Sequence, residues 1–495
     1  MEDQASFNPL AVAMLMVTAY LTWSLPRRFA ICPLLVMTCL MPLGQDLELF
    51  GLHFHLFRIL LLIGMVRVVA KGEAARLKFA HMDKLFIWWI MISVLFGTMS
   101  KPSVELLVNR FGDAYNAAGC YFFVRCIIVS FEDIVTSICT LALVSMPVAA
   151  FMLVEKTTAH NLLSVFGGVP EITAVRDGHL RCQGAFRHPI LAGVYGATQI
   201  PFFIALWFYQ PQSRRLAIAA LVSSLIIVIT ASSSGALMAL FAGGCGMVMW
   251  KHRKYMRLIR RLTVVTILML ALIMNAPVWY LIAKLSDLTG GGGWHRAYLI
   301  DQAVAHFDEW WLFGTTYTAH WGPAGEVIAA DPNMMDITNR YIMEGVKGGM
   351  LKLIFFVAII VGCFKIVGRR IRTEALGNPN RLLIWAMGVS LFAHCLSFLS
   401  VDYFDQIIVL WYWLLGVIVC IGCISDKKPP PLGTEESEAE NTLFESSKFQ
   451  NQFSGNAIDV PTSRDQTTAC EMLVLNGKAS IKAGRLMLPE NIYVC

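Results

Sequence analysis

Apolar runs of about 17–25 residues recur along most of the chain, separated by short polar turns. They fall at about 9–24, 29–46, 54–70, 85–99, 114–130, 134–153, 189–209, 216–230, 235–250, 262–282, 341–367, 382–399 and 406–424. Runs of that length suit helices that satisfy their own backbone in a bilayer. The pattern predicts an all-α, polytopic integral membrane protein of about 12–13 transmembrane helices. Two interruptions are much longer than a turn, at about 155–188 and 283–338.

The longer interruption has its own periodicity. From about Arg296 to Phe307, apolar residues at Ala297, Ile300, Val304 and Phe307 predict an amphipathic helix lying on the membrane. Trp310-Trp311 follows and is expected at the interface. Asp336 is a natural N-cap for a helix starting near Asn339, and Arg340 and Glu344 are spaced i, i+4 like an ordinary surface pair. Beyond Ser425 come three prolines and the acidic run Glu435–Glu440, then polar sequence too poor in apolar residues to fold alone. The chain thus divides into an N-terminal helix pair (1–50), a main membrane domain (51–425) and a cytoplasmic, mostly disordered tail (426–495).

Composition supports the class and limits the function. Apolar residues make up 56% of the chain and charged residues 15%, with mean hydropathy +0.60, which excludes a soluble domain. The net charge of +6 is then a matter of orientation and does not point to nucleic acid. Arg27-Arg28, the group Arg67, Lys71, Arg76, Lys78 and Lys84, the dense run Lys251–Arg261, and Lys427-Lys428 mark one side as cytoplasmic. Both long loops therefore open on the outer face. The start, Met-Glu-Asp-Gln, lacks a basic signal region, so the first apolar segment is expected to be retained. Most of the thirteen cysteines lie inside apolar runs and predict no disulfide framework, and Cys420-x-x-Cys423 reads as packing.

The candidate chemistry sits in the loops. Arg176-Asp177-Gly178-His179-Leu180-Arg181-Cys182-Gln183-Gly184-Ala185-Phe186-Arg187-His188-Pro189 concentrates three arginines and two histidines where a linker would suffice. Guanidinium forks match phosphate oxygens, so the cluster suits an anionic ligand; the alternative is a loop facing lipid headgroups. Arg296 in the first turn of the amphipathic helix would meet a lipid-linked anion, or the helix merely caps the bundle. General-base candidates are His320, His306, Glu326, Asp331 and Asp336. No metal-ligand cluster is expected. Arg58 and Arg125 lie within apolar spans, with Asp402 and Asp405 as their possible partners.

Four motifs together resemble the O-antigen ligase and O-antigen polymerase family of bacterial membrane proteins. Arg181-x-x-Gly184-x-Phe186-x-His188-Pro189 opens an apolar segment as in that family. Ser232-Ser233-Ser234-Gly235 resembles its Thr/Ser-Arg-Gly motif, and Arg296 with Trp311-Leu312-Phe313-Gly314 resembles its Arg-helix-Pro-x-x-Gly segment. Asn339 followed by Gly349 resembles its His-Asn-x9-Gly motif. The resemblance spans about residues 51–425.

The resemblance implies a metal-independent glycosyltransferase of the bacterial cytoplasmic membrane that uses no cofactor. It would move glycan from an undecaprenyl-diphosphate carrier, on the outer face, to an acceptor hydroxyl. Arg181, Arg187 and Arg296 would grip the diphosphate, Asn339 and Thr338 would position acceptor or loop, and Asp336 or His320 would serve as base. Membrane lipids, a chain-length regulator and other polysaccharide-assembly proteins are the implied partners. Two departures matter: Thr338 stands where ligases of the family carry His, and Ser233 or Ser234 where the family usually carries Arg. The first tilts the expectation toward polymerisation of repeat units, with ligation to a lipid acceptor as the alternative. A transporter of lipid-linked glycan or a small anion, and a member that has lost activity, are the other readings.

Overall fold

The computed structural model describes residues 8–49, 52–287, 293–322, 327–328, 331–374 and 378–424. All lie within one compact unit, Met1–Ile424. The tail 426–495, Glu326 and the side chain of Asp331 fall outside the described residues.

The architecture is all-α. In chain order the helices are α1 (Pro9–Ser24), α2 (Cys32–Leu40), α3 (Leu56–Ala70), α4 (His81–Met99), α5 (Val104–Ile127), α6 (Phe131–Thr158), α7 (Pro189–Tyr209), α8 (Arg214–Ala231) and α9 (Ser234–Val248). There follow α10 (Met256–Ile273), α11 (Tyr280–Asp287), α12 (Gly293–Ala305), α13 (Phe307–Trp310), α14 (Arg340–Val346), α15 (Gly349–Thr373), α16 (Asn380–Ser397) and α17 (Asp405–Cys423). Among the described residues three two-stranded hairpins interrupt them: β1 (Asp46–Leu49) with β2 (Leu52–His55), β3 (Val175–Arg176) with β4 (His179–Leu180), and β5 (Val327–Ile328) with β6 (Asp331–Met335).

Among the described residues six helices are long and apolar enough to cross a membrane: α4, α6, α7, α8 with the turn before it, α15 and α17. Several expected segments prove shorter or broken. Residues 29–46 contain only the nine-residue α2, about 14 Å of helix against a hydrocarbon core of about 30 Å, because Pro33 opens it and Pro42 follows close behind its end. The 262–282 segment breaks around Pro277 into α10 and α11, and 341–367 breaks at Gly348-Gly349 into α14 and α15.

The centre of the bundle is α7, packed against α6, α8, α9 and α16. Small residues permit it: a Cβ on Gly193 would lie 2.5 Å from that of Ala236, and one on Gly196 would lie 2.9 Å from the Ser224 carbonyl oxygen. Outward surfaces are apolar. Leu95, Val222, Ile229, Phe241 and Ile354 are exposed, and α10 has no buried residue at all. Such a surface suits lipid rather than water.

Buried ion pairs tie the ends together. At one end Arg27 meets Asp133 at 2.7 Å, Arg67 meets Glu73 at 3.0 Å, and Arg125 meets Asp83 at 2.9 Å. Arg125 also donates to Cys420 Sγ at 3.4 Å and Cys423 Sγ at 3.8 Å, so these cysteines line a guanidinium pocket. Arg58 donates to Asn116 Oδ1 at 3.3 Å. The spans supply these partners themselves; Asp402 and Asp405 pair elsewhere, with Arg340 and Arg187.

Candidate functional site

The site forms where the two long loops meet the ends of α6, α8 and α9. The first loop is pinned from below by Glu155, fully buried near the end of α6. Its carboxylate accepts from Thr173 Oγ1 at 3.1 Å, the Gln183 amide at 3.0 Å and the Gly184 amide at 2.8 Å. Asn161 Nδ2 donates to the Gly184 carbonyl at 2.7 Å, and the Cys182 amide donates to the Thr230 carbonyl at 3.1 Å. Phe186 fills the space beneath, stacked on Tyr195 at 5.2 Å. A buried carboxylate with three donors is fully satisfied, so the loop has a fixed seat.

That seat aims the basic residues. Asp177-Gly178, both at positive φ (52° and 76°), make the two-residue turn between β3 and β4 and project Arg176 and His179. Lys156 Nζ bridges the Leu180 carbonyl at 2.7 Å and Ser232 Oγ at 3.4 Å. From the second loop Arg296 Nη2 donates to Ser234 Oγ at 3.3 Å. Burial, then repulsion from Arg176, lowers the pKa of both Arg181 and Arg296, yet each guanidinium stays charged. His188 shares this field: burial first, then Arg181 and Arg176, push its imidazole down to about 4. The residue is nevertheless exposed to solvent, which weakens that push, while Nδ1 accepts the Ile190 amide at 3.2 Å and caps α7. Arg181 Nε is buried with no hydrogen-bond partner among the described residues. Arg176, Arg181, Arg296 and Lys156 thus form a cationic basin beside three serines.

A second junction joins the Trp311–Gly314 segment to the start of α15. Thr315 N donates to the Val346 carbonyl at 2.9 Å, and Met350 N to the Trp311 carbonyl at 2.7 Å. Gly314 (φ 83°) and Gly349 (φ 77°) lie in this clasp, where a Cβ on either would overlap an opposing carbonyl oxygen, of Val346 and Leu312 respectively. Below it Arg340 and Glu344 are no surface pair. Both are buried, 2.5 Å apart, with Arg340 also 2.8 Å from Asp402 and Glu344 3.3 Å from Lys352. Trp89 Nε1 donates to Glu344 at 3.0 Å. Burial opposes ionisation of Glu344, but Arg340 and Lys352 outweigh it and leave the carboxyl below its usual pKa.

The expected residues separate into groups. Arg181 and Arg296 share the basin, whereas Arg187, largely exposed, turns toward Asp405 at 3.9 Å. Asn339, not Asp336, caps α14: its Oδ1 accepts the Tyr341 amide at 3.0 Å and the Ile342 amide at 3.3 Å. Asp336, three residues earlier, is too far upstream to reach those donors and is exposed, while Thr338 is half-buried. His320 lies in a separate group with His306 and Glu309.

The amphipathic helix forms as α12, but its buried positions are Gly293, Ala297, Leu299 and Ala303, while Val304 and Phe307 are exposed. Trp310 is buried too, its Nε1 donating to the Ala303 carbonyl at 2.8 Å, and only Trp311 stays at the surface. Glu155, Lys156 and Glu309 escaped the sequence reading. Asp-Gly flanked by short apolar pieces was a legible hairpin signal for the β3–β4 turn. Compared with models of known families and with curated proteins, the chain matches none.

Proposed function

We propose that this chain is a multi-pass membrane glycosyltransferase that polymerises polyprenyl-diphosphate-linked repeat units on the outer face of a bacterial cytoplasmic membrane. The 12–13 crossings, the outward placement of both loops and kinship to the O-antigen ligase and polymerase family belong to the same proposal. One observation carries it. Four segments resembling that family's motifs, scattered from Arg181 to Gly349, join in one continuous chain of contacts. Cys182 meets Thr230 at the foot of the serine turn, Ser234 meets Arg296, and the Trp311–Gly314 segment meets Gly349.

The chemistry asked of the basin is stabilisation of a leaving diphosphate. An acceptor hydroxyl oxygen bonds to the anomeric carbon of the donor glycan, the bond from that carbon to the phosphate oxygen breaks, and carrier diphosphate leaves with the electron pair. Arg181 and Arg296, assisted by Lys156 and Arg176, face the growing negative charge as preorganised cations. Arg187, expected from the sequence to join them, turns instead toward Asp405 and stands outside this grip. Asp336, exposed three residues ahead of the Asn339 cap, takes the hydroxyl proton, whereas His320 lies in the separate group with His306 and Glu309. Asn339 fixes the start of α14 and so the loop that carries Asp336.

The test is transfer by the purified chain in nanodiscs, supplied with undecaprenyl-diphosphate oligosaccharide of the host's own repeat. A ladder of longer carrier-linked products without any other acceptor is expected. Alanine at Arg181 or Arg296 should lower its rate about 100-fold or more, the usual effect of removing one preorganised donor. An unchanged ladder in the Arg181, Arg187 and Arg296 variants would sink the proposal, and transfer only to a separately added lipid acceptor would replace polymerase by ligase.

A further inference from the structure

We infer that His306, Glu309 and His320 form a zinc-type metal site, separate from the cationic basin, that fastens α13 to the turn at Ala319–Trp321. His306 Nδ1 lies 2.8 Å and His320 Nε2 2.9 Å from the same oxygen, Glu309 Oε1. The three ligand atoms all fall within 4.8 Å of one another. Zinc bonds of about 2.0–2.1 Å in a tetrahedron set ligand atoms about 3.3–3.4 Å apart, so an ion requires each imidazole–carboxylate pair to open by about half an ångström, with the two imidazole nitrogens, within 4.8 Å, settling to the same spacing.

The surroundings are those of ligands already oriented. Trp321 Nε1 donates to the other carboxylate oxygen, Oε2, at 3.0 Å, which holds the Glu309 plane and leaves Oε1 toward the imidazoles. The His306 ring stacks on Trp321 with planes 9° apart, and the His320 ring stacks on Tyr317 at 15°. Two borderline imidazoles with one carboxylate make a mixed set that suits zinc and its neighbours, whereas calcium and magnesium need sets dominated by oxygen. Each side chain is about one-third exposed, at 28%, 31% and 34%, so solvent can supply a fourth ligand.

The position argues for a structural role. Arg296 and His306 are ten residues apart, about 15 Å at 1.5 Å per residue, at opposite ends of α12. An ion at His306 is therefore remote from the basin and takes no part in the proposed transfer. It would join the far end of α12 to the turn ahead of the β5–β6 hairpin, fixing the helix that carries Arg296.

The experiment uses the full chain in nanodiscs with an affinity tag free of histidine, stripped with chelator and titrated with zinc or cobalt(II). One equivalent per chain is expected, with the visible absorption of four-coordinate cobalt and a rise in the thermal midpoint. Glu309→Gln and the double variant His306→Ala/His320→Ala should each bind at least tenfold more weakly, and Trp321→Phe about tenfold more weakly through loss of the carboxylate's orienting donor. X-ray absorption on the zinc-loaded wild type should count two imidazole ligands, which covers the case of a variant that fails to fold. Absence of a bound equivalent, undiminished binding in the ligand variants, or an ion without imidazole neighbours would each overturn the site. None of these readouts depends on glycan transfer.

Discussion

Arg296, from the second long loop, donates a hydrogen bond to Ser234 Oγ at 3.3 Å across 62 residues of sequence. The serine stands at the first position of α9, two residues after the left-handed Ser232 that closes α8. A tight interhelical turn thereby steadies a guanidinium that lies in the field of Arg176.

This geometry makes Arg296 more than a point charge. Arg296→Lys keeps the charge but loses the planar fork, and lysine shares the basin with three other cations. We expect Arg296→Lys to lower transfer at least tenfold and Ser234→Ala by a few-fold only, measured as initial rates of carrier-linked product in nanodiscs. Equal rates for Arg296→Lys and wild type would remove the guanidinium from the site.

The glycine clasp predicts a stability effect. Alanine at Gly314 or Gly349 must accept φ near +80° and press its methyl on a carbonyl oxygen. The backbone conformation alone costs about 1–3 kcal/mol. Thermal unfolding in detergent should show a lower midpoint for both variants, whereas alanine at Gly368, inside α15 with nothing within 4 Å of its Cβ, should leave the midpoint unchanged or slightly raised.

Glu155 is the loop's seat, and removing its carboxylate strands the Gln183 and Gly184 amides in a buried place. Each orphaned donor costs about 1–3 kcal/mol. Glu155→Ala should therefore destabilise the protein by several times the effect of an ordinary surface change and also abolish transfer. Retained product formation at wild-type stability would show that the loop is held otherwise.

His188 gives a pH dependence with a defined sign. The folded chain keeps this imidazole neutral down to about 4, while an unfolded histidine takes its proton near 6.5. Between those values the unfolded state binds more protons, so stability falls as pH drops from 6.5 toward 4. Protonation also places a hydrogen on Nδ1 and removes the acceptor that caps α7. Because His188 is exposed, solvent weakens both the burial and the arginines' repulsion and narrows the window. His188→Asn, which keeps an acceptor for the Ile190 amide, should flatten the decline in thermal midpoint over this range.

Much of the helix layout was legible because hydropathy is a local signal. The runs at 134–153, 189–209 and 406–424 correspond to α6, α7 and α17 with ends shifted by a few residues. The break at Gly348-Gly349 was not legible: flanking apolar residues hid it, and what fixes it is the Trp311–Gly314 segment arriving from elsewhere in the chain. Arg340 and Glu344 show the same limit. Their spacing is that of any exposed helical pair, and only Asp402, Lys352 and Trp89 converging from other elements make them a buried network.

By itself the sequence determined that the chain is helical, that its outward surface is apolar, and that two long polar interruptions carry Arg176, Arg181, Arg187 and Arg296. Those properties follow from the composition of short windows and need no partner. Tertiary structure alone decided that Arg181, Arg296 and Lys156 share one basin, that Arg187 turns to Asp405, that Asn339 rather than Asp336 caps α14, and that two histidines meet one glutamate oxygen. Each depends on a few ångströms between residues far apart in the chain. Such distances are set by packing around α7 and by buried anchors such as Glu155, which no local pattern of hydropathy or charge records.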